Sequence, residues 1–593
     1  MKFQVGEVIS IKGTTVILKI FEESNKETLF YEGTNYKGVS IREYLTIRRG
    51  FTDIVCLVEG EYLDESSFNP KDNKPVYIRK IETRPIGYFK DGEFCEGIKY
   101  LPMIKDPAFL ITENSVKNIF GNKNSQDFVI GKLLKEDMPI SLPWRSLFNT
   151  HIGIFGNTGS GKSNTLTSLY TKLFSKDKTA IFEKSKFYIL DFNGEYTDDQ
   201  MVTSDDKQVI HLNSASAVDQ LNLPPESFWS EEILSILFKA TENTQKPFLS
   251  RVINGRERFL HTENSLTNYF KKTATRLFTA VDQKKESIDL LKEATKLIED
   301  ENLLIALEQV IWHSTQKKFY IGGTNNYFDG GENDRTYQNY LSQEIANITA
   351  EPSDVFEELK IRVHLQLIND LLANYVQFEF IQPLLKRMDS SLSPLKKVLS
   401  FEARTPTAKG LTVISLRKCN QEIKKIIPLI FAKQLYDSHK AAVMNRPENT
   451  VHLIIDEAHN ILSEQSNRER ESWKDYRLEL FEEIIKEGRK FGMYLTISSQ
   501  RPADISPTIM SQLHNLFIHR LVNDRDLLLL DNTISTLDSM SRAMIPNLGK
   551  GCCIVTGTSF DIPYVMQVTK LQDNERPNSD DVDLQELWHP SSE

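Results

Sequence analysis

The spacing of apolar positions changes repeatedly along this chain, and each change predicts a different kind of structure. Through about residue 138, short apolar runs alternate with polar residues and are broken by glycine, aspartate and lysine. That is the period of half-buried strands. Residues 8–20 read as a hairpin about Lys12-Gly13, residues 54–60 and 76–81 as further strands, and 87–89 with 94–98 as a second hairpin about Lys90-Asp91-Gly92. Strands this short, with no helical period between them, imply a small β-barrel. Apolar runs at 151–155, 186–191, 411–416, 451–455 and 494–498 are continuous instead, as in strands buried on both faces of a parallel sheet. Between about 229 and 400 the spacing turns helical, as in Ile233-Leu234-Ile236-Leu237 and Val355-Phe356-Leu359-Ile361-Val363. The fold class is α/β. The segments are an N-terminal β-barrel assembly domain (1–140), a core begun at 141–228 and completed at 401–570, a helical insertion (229–400) and a C-terminal arm (571–593).

The run 151–155 leads into Gly156-Asn157-Thr158-Gly159-Ser160-Gly161-Lys162-Ser163, and a helix-compatible run starting at Asn164 follows. Strand, glycine-rich loop and helix in that order are the context of a phosphate-binding loop. Glycines let the backbone curl so that successive N–H groups face an anion, and the helix N-terminus adds partial positive charge. Lys162 is expected to reach the β- and γ-phosphates of ATP, and Ser163 to ligate Mg²⁺. The phosphate-binding set is therefore Gly156 through Asn164.

The run 451–455 ends in Asp456-Glu457-Ala458-His459. Asp456 is expected to hold Mg²⁺ through water, and Glu457 to orient and deprotonate the water that attacks the γ-phosphate. The strand 494–498 ends near Gln500, whose amide either senses the γ-phosphate or serves a structural hydrogen bond. Residues 186–191 end at Asp191 and continue to Glu195. These two carboxylates either reach the metal shell, the attacking water or a neighbouring subunit, or Asp191 simply caps the next turn. Arg489, at the end of the helical stretch 478–490, is a candidate cation for a neighbour's γ-phosphate. The alternative is a helix C-terminal cation that favours the macrodipole. Catalytic expectations thus rest on Lys162, Glu457, Arg489 and Gln500, and metal expectations on Ser163 and Asp456.

With 40% apolar and 26% charged residues and a net charge of −10, the chain is globular and offers nucleic acid no global attraction. A DNA contact would need locally basic surface, such as the lining of an assembled channel. Lys271, Lys272, Lys284 and Lys285 read as a solvated helix face rather than such a patch, and the barrel reads as an assembly module rather than an oligonucleotide binder. Five cysteines with no CxxC pair point to reduced intracellular thiols. Cys552 and Cys553 are expected on opposite faces of a strand. The N-terminal residues carry no signal-peptide core, and no run is long enough to span a bilayer. The expected location is cytoplasmic, with no membrane partner.

Asp-Glu-Ala-His with Thr-Gly-Ser-Gly-Lys-Ser invites comparison with two-lobed DEAH helicases, but only 136 residues follow Glu457, too few for a second motor lobe. A single RecA-like P-loop NTPase core, its site completed by a neighbouring subunit, fits better. The chain resembles the HerA family of hexameric ATPases, relatives of the FtsK-type DNA pumps. The likeness is carried by a β-rich N-terminus similar to the HAS-barrel, by residues 156–163 and 191–196, by 240–248, and by 456–459, 487–492 and 498–502. The insertion is longer than in compact members, and residues 461–477 are additional polar sequence. The resemblance implies a homo-hexamer that hydrolyses ATP with Mg²⁺ while double-stranded DNA threads the ring channel. It also implies a separate effector, a nuclease or a sirtuin-like NADase, in an antiphage-defence setting. The alternative is an ATP-binding platform that assembles and activates an effector, with DNA pumping incidental.

Overall fold

The computed structural model describes residues 3–31, 34–68, 75–120, 127–331, 334–402, 409–464, 471–534, 537–579 and 588. Met1 and Lys2, part of the extra polar stretch at 461–477, and Asp580-Asp581 of the expected arm lie outside the described residues. The N-terminal strands close into an antiparallel barrel in the order Thr15–Ile20, Gln4–Lys12, Pro107–Leu110, Tyr44–Arg49, Thr52–Phe68, Pro75–Lys90, and the last pairs back with the first. Val8, Val16, Leu18, Ile47, Ile54 and Ile81 fill its interior. Residues 76–81 and 87–89, expected as separate strands, are one strand, Pro75–Lys90. Val55 faces Gly87 and Cys56 faces Pro85, so Ile86 is an extra residue, and this bulge directly after Pro85 carries the pairing past the proline.

An eleven-stranded sheet forms the core. Seven strands are parallel, in the order Asn515–Ile518, Ile152–Phe155, Met493–Ser499, Thr450–Ile455, Ser185–Asp191, Leu411–Lys418 and Lys207–Asn213. Beyond Asn515–Ile518 the sheet continues antiparallel through Cys552–Gly557, Tyr564–Val568, Phe128–Leu133 and Pro139–Leu142. The domain boundary expected at 140 therefore moves toward the N-terminus. Phe128, Ile130, Leu133, Ile140 and Leu142 are buried with Leu166 and Leu169 of the helix after the glycine-rich loop, not in the barrel. Cys552 and Cys553 do face opposite sides, each in a different core.

Helices run from Glu231–Phe238 to Phe378–Val398, interrupted by the hairpin Val310–His313 and Lys318–Ile321. Val355–Leu372 packs between Ser265–Thr279 and Lys285–Leu297. Lys271 donates to the Ala346 carbonyl at 2.6 Å and Lys284 pairs with Asp282 at 2.9 Å. Among the described residues no helix is long and apolar enough to cross a membrane.

Because the seven strands are parallel, their C-terminal ends share one edge, where open α/β sheets bind ligands. Ile152–Phe155 sits between Met493–Ser499 and Asn515–Ile518, second of the seven parallel strands and midway across the eleven-stranded sheet, and the glycine-rich loop opens at its end.

Candidate active site

The loop is fixed by its neighbours' strand ends. Gly156 N–H donates to the Ser499 carbonyl at 3.3 Å, Asn157 N–H to Arg520 at 2.8 Å, and Gly551 N–H to Ser160 at 2.8 Å. At two positions only glycine fits. A Cβ on Gly156 would lie 2.5 Å from His519 Cβ, and one on Gly161 (φ 111°) would lie 2.9 Å from Gly551 Cα. The helix Lys162–Lys184 starts directly at the loop, so its unpaired N–H groups face any bound anion. Lys162 is only 5% exposed, and its Nζ donates to the Asn157 carbonyl at 3.4 Å. Burial pushes its pKa down, against the opposing pull of Glu457, Asp456 and Glu195.

Around Lys162 stand three buried carboxylates, Glu195, Asp456 and Glu457. Burial, then the charges of Glu195 and Glu457, hold the Asp456 carboxyl well above its usual range, and Tyr196 Oη donates to Asp456 Oδ2 at 3.4 Å. Burial likewise raises Glu195, against hydrogen bonds from Ser163 and Asn193. Asp191 has a different task. Its Oδ1 accepts the N–H groups of Asn193, Gly194 and Glu195 at 3.2, 2.7 and 3.1 Å, and its Oδ2 accepts Tyr196 N–H at 3.1 Å. Asp191 thus caps the turn that carries Glu195 to Ser163. Of the two readings for Asp191, the structure favours the cap.

The residues present fit a phosphate chain with a divalent cation. Among the described residues, Glu195 Oε2, Glu457 Oε2 and Ser160 Oγ are buried without hydrogen-bond partners, and three carboxylates face one lysine. Such orphaned acceptors and uncompensated charge are costly unless a ligand satisfies them. Glu457 has a left-handed backbone (φ 48°), and both the N–H and the Nδ2 of Asn460 donate to its carbonyl at 3.0 Å. For a residue other than glycine that conformation costs on the order of 1 kcal/mol. His459 Nδ1 lies 3.3 Å from Glu457 Oε2 and 3.3 Å from Ser499 Oγ.

Gln500 leaves the middle strand between the two halves of the site. Its Nε2 donates to Glu457 Oε1 and its Oε1 accepts the Thr158 hydroxyl. Asn164 sits differently. Its side chain holds the backbone of Thr569 and Leu571, with Nδ2 donating to Thr569 O at 3.1 Å and Oδ1 accepting Leu571 N–H at 3.2 Å. Arg489 is not at this edge at all. It precedes Met493–Ser499, whose far end pairs with Phe155, so about 20 Å of strand separates it from its own loop.

Residues 128–348 match the family model described as "Helicase HerA, central domain". A protein of Sulfurisphaera tokodaii named DNA double-strand break repair helicase HerA is 24% identical over 507 residues, 83% of this chain and 78% of its own length. Over most of its length the chain is similar to HerA helicases. A probable helicase of Methanocaldococcus jannaschii is 22% identical over 87% of the chain and 81% of its own length. The bacterial conjugative coupling protein TrwB superposes with a TM-score of 0.43 at 12% identity, covering 83% of this chain and 98% of its own.

Several groups at the site carried no sequence signal. His519 accepts or donates at Thr165 Oγ1 (3.0 Å), and its backbone N–H donates to Phe155 at 2.7 Å. Asn578 N–H donates to the Glu195 carbonyl at 2.9 Å and its Nδ2 to Asp198 at 2.6 Å. Residues 569–578 thus cross from the loop helix to the Glu195 turn. Sequence separation hides such contacts, since nothing local marks an Asn nearly four hundred residues away as a neighbour.

Proposed function

We propose that this protein is a ring-forming, hexameric, HerA-type ATPase that couples ATP hydrolysis to movement along double-stranded DNA. The observation that carries the reading is the convergence of Lys162, Ser163, Glu195, Asp456 and Glu457 at one edge, with Arg489 exposed at the opposite edge. One copy supplies phosphate grip and water activation, and a second copy supplies the arginine. The names of the relatives, a DNA double-strand break repair helicase and a probable helicase, support the substrate class.

In this reading the loop N–H groups and Lys162 hold the β- and γ-phosphates. Ser163 and Asp456 would hold Mg²⁺, with Glu195 beside them, and the metal would neutralise phosphate charge. Glu457 takes a proton from water as the water oxygen bonds to the γ-phosphorus and the bond to the β–γ bridging oxygen breaks. ADP and phosphate leave. Gln500, bonded to both Thr158 and Glu457, keeps the carboxylate aligned with the phosphate end of the loop. Arg489 of the adjacent copy stabilises the charge on the departing phosphates.

The reading extends to a cytoplasmic protein that works with a separate effector, a nuclease or a sirtuin-like NADase, in antiphage defence. All five cysteines are free thiols, as in a reducing compartment. The large helical insertion supplies surface beyond what the nucleotide site needs.

The test is ATP turnover with and without linear duplex DNA for the native chain, Lys162→Ala and Glu457→Gln. Both substitutions should abolish it. In mixed rings, Arg489→Ala and Lys162→Ala subunits should restore activity that neither shows alone. Turnover surviving both site substitutions would end the assignment.

A further inference from the structure

Arg489 is exposed at the end of the helix Glu471–Phe491, and a long exposed side chain is ordinarily spread over many rotamers. Here it is held by one contact: its guanidinium donates to His514 Nε2 at 2.6 Å. That bond fixes the imidazole. Nε2 must carry the lone pair, so Nδ1 carries the hydrogen, and Nδ1 is buried with no partner among the described residues. Glu487, two residues before Arg489, faces Lys440 at 3.9 Å instead. A neutral acceptor suits a cation meant for a phosphate. A carboxylate would cancel the guanidinium charge and compete for it, whereas an imidazole orders the group and leaves its charge whole.

His514 is also tied to the nucleotide edge. Its backbone N–H donates to the His151 carbonyl at 3.1 Å, and His151 Nδ1 accepts Leu495 N–H at 2.9 Å. Three adjacent strands therefore begin at this knot, and they end at the phosphate loop, at Gln500 and at the Arg520 carbonyl that anchors Asn157.

We propose that His514 is a positioning residue that presents Arg489 to the nucleotide of the adjacent copy. This rests on the trans role given to Arg489 above. The groups facing His514 are Arg489 from the helix and His151 from the loop before Ile152–Phe155, whose ring is 6.0 Å away; Tyr494 stands beyond His151 at 6.5 Å. Burial and the Arg489 charge keep His514 neutral at neutral pH. Once protonated it has no lone pair at Nε2 and repels the guanidinium.

The experiment compares DNA-stimulated turnover of the full chain, His514→Ala, His514→Gln, Arg489→Ala and the Arg489→Ala/His514→Ala double variant, between about pH 5 and pH 8, with ring assembly checked for each. Loss of one charge-assisted bond predicts about a tenfold lower kcat for His514→Ala with KM for ATP unchanged. His514→Gln, which keeps a neutral acceptor, should recover most of the rate and lose the acid fall seen in the native chain. In the Arg489→Ala background, His514→Ala should remove nothing further. An equal loss in that background, or a His514→Gln ring as impaired as His514→Ala, overturns the proposal. Full turnover by Arg489→Ala sinks the trans reading itself. An inactive Arg489→Ala beside a fully active His514→Ala sinks only the role of His514.

Discussion

Gln500 donates its amide N–H to the Glu457 carboxylate while its carbonyl accepts the hydroxyl of Thr158. One side chain thus joins the glycine-rich loop to the carboxylate proposed to activate water. It can do so because Met493–Ser499 lies between the strands that carry those two groups, which places its C-terminal residue within reach of both.

Gln500→Ala should therefore slow turnover without weakening nucleotide binding. A fall in kcat of about 10²-fold is expected, with KM for ATP changed by less than about twofold. Steady-state kinetics with duplex DNA present checks it. A raised KM at unchanged kcat would mean that Gln500 serves binding alone.

Asp191 is a fully buried carboxylate that accepts four backbone N–H groups. Asp191→Ala leaves those donors unsatisfied, so a loss of about 3 kcal/mol of stability is expected, read from denaturant unfolding. Asp191→Asn, which keeps an acceptor, should lose less. Loss of activity at unchanged stability would instead give Asp191 a direct part in the chemistry.

The C-terminal strap bears on the metal. Asn578 holds the Glu195 carbonyl and Asn164 holds the backbone of Thr569 and Leu571. Ending the chain after Lys570 frees the turn that carries Glu195 beside Ser163. The Mg²⁺ concentration for half-maximal turnover should rise about tenfold, while binding of ATP in the presence of a chelator stays as in the full chain. A metal titration followed by turnover, and a chelated binding assay, separate the two.

Acid should destabilise the core through His452. Its ring is fully buried against Phe187 at 4.6 Å and Tyr494 at 5.2 Å, and burial pushes its pKa down to about 3. The folded chain then stays unprotonated where the unfolded chain, with an ordinary value near 6.5, takes up a proton. Stability is complete above about pH 6.5 and falls as pH drops toward 3, by roughly 2 kcal/mol at about pH 5 from this one group. Thermal unfolding across that range should show the fall, and His452→Phe should lessen it by that one group's share, since burial also pushes His151 and His519 down to about 3.

Much of this was legible from local order. Three carriers of the site are strand-then-polar segments: the loop from Gly156 to Ser163, Asp191 through Glu195, and Asp456-Glu457. A buried parallel strand leaves a hydrophobic run with its functional residues at the C-terminal end, so reading the run locates the residues. Cys552 and Cys553 fell on opposite faces for the same reason, a period of two. Where local order misled, a distant partner overrode it. Residues 76–81 and 87–89 join in one strand across a bulge at Ile86, and residues 128–142 leave the barrel because their apolar face is buried beside Leu166 and Leu169.

By itself the sequence determined that this chain holds a phosphate loop, a second acidic strand end, a barrel before them and helices between. Those depend on periodicity and on neighbours a few residues apart. Only the tertiary structure decided which of Asp191 and Glu195 faces Ser163, that Gln500 spans Thr158 and Glu457, and that Arg489 rests on His514 an entire strand away from its own loop. Those assignments depend on strand order. Strand order is set by which hydrophobic faces pack together across hundreds of residues, and no local pattern records it.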